Sequence, residues 1–136
     1  MLPDWPAGTV AILVTIGETP HAIPVSAVLR AGSDRLLLGL ADGRGSLARL
    51  RADPQVAVAL LAVDIALTVR GSARVLDTPV SDGVTGVEVT VEDVDQHLRP
   101  TFAIEAGVRW HWTDPEARAR DEAVRAGLAR LAGQGQ

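Results

Sequence analysis

The chain has 136 residues and a mass of 14.3 kDa, which suits a single domain, 1–136, with a real core. It carries no cysteine, which excludes a disulfide framework, a thiolate metal site and a cysteine nucleophile. The net charge of −4 argues against a nucleic-acid or anionic-membrane surface, and no apolar run reaches the roughly 18–20 residues that span a bilayer. All 13 basic residues are arginine, so there is no lysine to form a Schiff base or meet a phosphate. The N-terminal MLPDWPAG lacks the basic-then-apolar pattern of an export signal, and the expectation is a cytoplasmic protein.

The first predicted strand, TVAILVTI, puts Val10, Ile12, Val14 and Ile16 on one face and Thr9, Ala11, Leu13 and Thr15 on the other. After the turn GETP, HAIPVSAVL reads as the second strand. Pro24 has no amide hydrogen for a ladder, so this strand is expected at an edge or bulged there. RLLLGL is the third strand. Ser46 is placed to cap a short helix, SLARLRA, that carries Leu47 and Leu50 on one side and stops at Asp53-Pro54.

QVAVALLAV follows as a strand, Asp64 marks a turn, and LTVRGSARVL is the fifth strand. DTPVSDG reads as a loop. Val87, Val89 and Val91 alternate with Glu88, Thr90 and Glu92 in a half-exposed strand, EDVDQHLRP is an acidic connection, and FAIEAGVRWHW is the last strand. Asp114-Pro115-Glu116 starts a C-terminal helix with Val124, Leu128 and Leu131 in an apolar stripe, fraying into GQGQ. Six to seven antiparallel strands with two helices make an α+β barrel. With one Phe and three Trp, its core is mainly aliphatic and lean for a monomer, which favours a dimer.

The sharpest chemical feature is Ala41–Arg51. Gly43 and Gly45 permit a backbone that turns amides toward one point, and the free amides at the start of the helix add positive charge. Arg44 offers a fork of donors and Ser46 a hydroxyl, a set suited to a phosphate. A flexible turn before a capped helix explains the same residues. His21, His97 and His111 have no metal-ligand spacing, and no Ser-His-Asp arrangement is recognisable. Trp110 and Trp112 share a face of the last strand and are expected to pack under the C-terminal helix or at a dimer interface. A flavin stack or a substrate wall is the functional alternative. Glu88, Glu92, Asp93 and Asp95 read as a solvated acidic edge.

Taken in order, the second strand P-H-A-x-P-V, the helix end L-x-x-D-P before an apolar strand, and V-R-G-x-A-R-V resemble the pyridoxamine 5′-phosphate oxidase-like family of flavin-binding split β-barrels. The resemblance spans most of Thr9–Trp112. It implies a homodimer holding a flavin, usually FMN, between subunits, together with a small-molecule substrate. By that pattern Val25 and Ser26 line the ring, Gly39 and Leu40 approach it by backbone, and Arg44, Ser46 and Arg49 face the phosphate. The chain departs from the pattern in two places. Arg44 and Ser46 stand where the family loop has S-x-K, and Ile23 where the oxidases have an arginine. The resemblance is therefore to a relative of the oxidase and not to that enzyme. A reductase using a deazaflavin, and a cofactor-free binding or structural dimer, are the alternatives.

Overall fold

Period-two alternation sorts β1 (Ala11–Thr15) into two rows, and the inner row is the smaller one. Ala11, Leu13 and Thr15 are buried, while Ile12 and Ile16 face outward, 39% and 40% exposed. In the computed structural model, which describes residues 2–134, an alternation between inside and outside also runs through the neighbouring strands. β2 (His21–Val25) turns Val25 inward and Ala22 and Pro24 outward. β5 (Gln55–Ala62) buries Val56, Val58, Leu60 and Ala62 and leaves Leu61 exposed beside the half-buried Ala57 and Ala59. Register places Ile12 opposite Pro24 and Ala59, and Val14 opposite Ala22 and Ala57. The outer face of these three strands is thus apolar.

The sheet has seven antiparallel strands in the order β2-β1-β5-β6-β7-β4-β3. The expected second strand does not exist as one piece. HAIPVSAVL divides into β2 and β3 (Val28–Arg30), which form the two opposite edges of the sheet. Only Ser26 and Ala27 separate them, so the chain itself joins the two edges and the sheet must curl into a split barrel. The amide of Gly39 on β4 (Arg35–Ala41) donates to the Ala27 carbonyl at 3.1 Å across this join. Pro24 lies on an edge strand, as its missing amide requires.

Between β4 and β5 stands α1 (Gly45–Ala52), which ends where Asp53-Pro54 was expected to end it. The Asp53 amide bonds the Arg49 carbonyl at 2.9 Å, and the Asp53 carboxylate accepts from the Gln55 amide at 3.1 Å. β6 (Ile65–Ser81) is far longer than the fifth strand read from sequence, because DTPVS continues it. Asp82-Gly83 is then a two-residue hairpin turn, with Gly83 at φ 73°, into β7 (Val84–Gln96). Aspartate-glycine between alternating apolar runs is a hairpin signal, and it outweighs the loop reading. β7 also absorbs most of the supposed acidic connection. Gly71 marks a shift in the β6–β7 register, and a Cβ there would lie 2.1 Å from the Thr90 carbonyl oxygen.

FAIEAGVRWHW is not a strand. The segment spends its backbone on single contacts. The Ile104 carbonyl accepts from the Asp64 amide at 3.0 Å, and Gly107 lies against the Leu61 carbonyl, where a Cβ would come within 2.6 Å.

Two clusters form the core. The barrel interior holds Leu13, Leu36, Leu38, Leu40, Val58, Leu60, Val69, Val87 and Val89, plugged at one end by Leu2. The second lies between the outer face of β4 and α2 (Pro115–Gln134) and contains Leu37, Val80, Val124 and Leu128, with Leu131 packed against them. This explains the unbroken apolar run RLLLGL: both faces of β4 are covered. Asp114 accepts from the Glu116 amide at 3.1 Å, and Gly133 and Gln134 remain helical. The last two residues of the expected frayed end lie outside the described residues. Among the described residues no helix is long and apolar enough to cross a membrane.

Candidate functional site

The loop between β4 and α1 is held by its backbone. The Asp42 amide donates to the Gly83 carbonyl at 2.9 Å and the Arg44 amide to the Ala41 carbonyl at 3.0 Å. Two expectations fail here. Arg44, in extended conformation, is the residue before the helix, and Ser46 lies inside α1, 2% exposed, so Ser46 is not its cap. Gly43 and Gly45 also stay out of the left-handed region, which Gly8, Gly32 and Gly83 occupy, so no nest of turned amides forms. What persists is the helix start, whose first amides have no partner within the helix.

The two arginines of this region differ. Arg44 is exposed, and its side chain makes no hydrogen bond or ion pair among the described residues. Arg49 is committed elsewhere: its Nε donates to Thr15 Oγ1 at 2.9 Å, and Nη2 donates to the Thr19 carbonyl. Its fork therefore ties α1 to the β1–β2 turn. A free cation and a helix start can hold one phosphate; Arg49 is spent on the fold.

Of the residues assigned to a ring, Val25 and Leu40 bury their side chains in the barrel, 7% and 2% exposed, so only their backbone can meet a ligand. Gly39 faces α2, where a Cβ would lie 2.8 Å from Val124 Cγ1. Ser26 alone opens onto a groove, lined also by Trp5, Val28, Arg125 and Leu128. The seven residues thus lie along the β2–β3 join, β4 and α1, and do not converge on one cavity within a single chain.

A groove of about 780 Å³ lies elsewhere, and the sequence pointed to it only through its R-W-H-W cluster. Its walls are the loop Pro6–Thr9, the β5–β6 turn at Ala62 and Val63, the segment Ala106–Trp112, and the α2 residues Arg118, Asp121, Glu122 and Arg125. Trp110 is fixed by its Nε1, which donates to the Gly8 carbonyl at 2.8 Å, and Trp112 stands edge-on to it, centroids 5.2 Å apart at 85°. These tryptophans do not sit in a strand, but they do lie beside the C-terminal helix.

The acidic edge is exposed at Glu92 and Asp93, as expected, and it is also paired with arginines. Glu88 meets Arg35 at 3.4 Å and Arg74 at 3.1 Å, and Arg70 bridges Asp93 and Asp95 at 2.6 Å each. The Arg70 guanidinium, hydrogen-bonded to Asp95, holds that carboxyl below the usual carboxylate range and is itself raised by both acids. His97 shares a 2.8 Å hydrogen bond with Thr68 Oγ1. Among the described residues no group of three or more His, Asp or Glu could hold a metal.

No protein-family model matches the sequence, and no curated protein matches it. Solved structures do. A putative pyridoxamine 5′-phosphate oxidase from Listeria innocua matches 65% of this chain and 88% of its own, with a TM-score of 0.56 and 16% identity. An F420 reductase matches 65% and 90%, with a TM-score of 0.57 and 15% identity. A FAD-binding protein from Mesorhizobium loti matches 65% and 84%, with a TM-score of 0.53 and 15% identity. At such identities the likeness is one of fold. The chain folds as a split β-barrel of the pyridoxamine 5′-phosphate oxidase-like kind.

Proposed function

We propose that the chain binds FMN and acts as a flavin-dependent oxidoreductase on a small molecule, as a homodimer in the cytoplasm. The observation that carries this reading is the barrel itself, shared with proteins whose names speak of pyridoxamine phosphate oxidation, F420 and FAD. Fold is an analogy and not a site, so the residues must be consistent with it, and the phosphate end is. Arg44 is an uncommitted cation beside the free amides of α1, a fit for a phosphate. Ser46 and Arg49 support that end from behind, Arg49 by fixing α1 to the β1–β2 turn. At the ring end, the backbone of Val25, Ser26, Gly39 and Leu40 is the surface on offer. When bound, the flavin supplies hydride or electron transfer, and the chain's part is to position it and exclude water.

The dimer is supported by the outer face of β1, β2 and β5. Ile12, Ile16 and Leu61 are 39%, 40% and 56% exposed, and Val14, Ala22, Pro24, Ala57 and Ala59 lie between or beside them. A continuous apolar sheet face of this kind is what a second copy would cover. The F420 reductase among the neighbours favours a second reading, a deazaflavin coenzyme in the same barrel. The committed Arg49 favours a third, a cofactor-free dimer. Absorbance and phosphate content of the purified protein separate them: flavin bands with phosphate, a deazaflavin band, or neither. Colourless protein that stays colourless after incubation with FMN overturns the first reading.

A further inference from the structure

The groove beside α2 lies apart from the phosphate loop, and its charges are unevenly spent. Arg125 Nε pairs with Asp121 at 2.7 Å and Arg118 with Glu122 at 3.4 Å, so two of its cations are matched by its two carboxylates. Arg109 and His111 also line it, are exposed, and make no hydrogen bond or ion pair among the described residues. The groove therefore keeps one uncompensated guanidinium. Trp112 lines the same groove, 41% exposed, in edge-on contact with the anchored Trp110.

From these features we propose that the groove is a binding site for a planar aromatic monoanion, its ring on Trp112 and its carboxylate on Arg109. Stacking on an ordered indole supplies a flat apolar contact, and a guanidinium fork matches a carboxylate in geometry as well as charge. His111 also lines the groove. The cavity, about 780 Å³, is within the range of small-molecule sites, and the rest of its wall is apolar or small: Ala7, Gly8, Ala62, Val63, Ala106, Gly107 and Val108. An adjoining groove shares Ala7, Gly8 and Arg125 with it and reaches Ser26, so a ligand here would lie next to the β2–β3 join. The site does not depend on the flavin reading, because none of its residues belongs to the proposed cofactor contacts.

Calorimetric titration of the flavin-free protein with naphthalene-2-carboxylate, and with its neutral amide as the matched control, tests this. The wild type should bind the carboxylate about tenfold more tightly than the amide, the worth of a charge-assisted hydrogen bond at a partly wet site. Arg109→Gln should erase that preference, Trp112→Ala should weaken both probes, and Arg51→Gln, on the exposed side of α1, should change neither. All three positions are exposed, and circular dichroism melting confirms that each variant folds. Equal affinity for the two probes, no saturable binding up to millimolar concentration, or a carboxylate preference that survives Arg109→Gln overturns the proposal. None of these outcomes bears on FMN, which is measured separately.

Discussion

Arg44 and Arg49 look interchangeable in sequence, both basic and both near a helix start, yet their surroundings give them different work. The Arg44 guanidinium has no partner among the described residues, so its charge is available to a phosphate; Arg49 is bound to Thr15 and Thr19. Arg44→Ala should weaken FMN by about 10- to 150-fold, the equivalent of roughly 1.5–3 kcal/mol, and leave riboflavin nearly unchanged. Parallel fluorescence titrations with the two flavins check it, and an equal loss of both would move Arg44 from ligand to fold. Arg49→Ala should instead lower stability by about 1–2 kcal/mol through the lost tie to the β1–β2 turn, seen as a reduced melting temperature. The sequence could show the charges and not their partners, because Thr15 and Arg49 meet only once the barrel has curled. The same limit explains Ser46. A serine ahead of an apolar pair looks like a cap, but the helix begins one residue earlier and carries that side chain inward.

The elements were legible where local chemistry decides them. Asp53-Pro54 ended α1, Asp114-Pro115 began α2, and Val124, Leu128 and Leu131 gave its packed stripe. They were misread where the decision is made by distant chain. HAIPVSAVL has unbroken strand character, and nothing local says that its halves belong to opposite edges of the sheet. GVRWHW alternates like a strand, but it lines a groove and pairs with no strand. How closely α2 docks is also a long-range fact. Gly127 lies on the backbone of β6, where a Cβ would stand 2.2 Å from the Val80 carbonyl oxygen. Gly127→Ala should therefore destabilise the protein by about 1–3 kcal/mol despite the better helix propensity of alanine. Thermal unfolding measures this, and a melting temperature equal to or above wild type would mean that α2 is not seated as described.

At the scale of the molecule, the barrel spends its smaller side chains inward along β1 and turns its larger ones out. That inversion is uneconomical for a monomer and sensible for a dimer. Ile12→Asp, at the middle of the outer face, should drive a dimer to monomer while leaving the interior intact. Sedimentation of wild type and variant reads the change directly, and a wild type that is monomeric across micromolar concentrations would remove the interface. The fold class was legible because strand alternation, two helix signals and their order are all local. The site was only half legible, because the tie of Arg49 to Thr15 and the groove beside α2 are set by residues far apart in the chain. The central claim is that this barrel holds a flavin phosphate. Titrating FMN with the purified wild-type protein and following quenching of flavin fluorescence tests it most directly. Saturable quenching at one FMN per chain, tighter than that of riboflavin, is the predicted result. Unchanged fluorescence with both flavins would contradict the account.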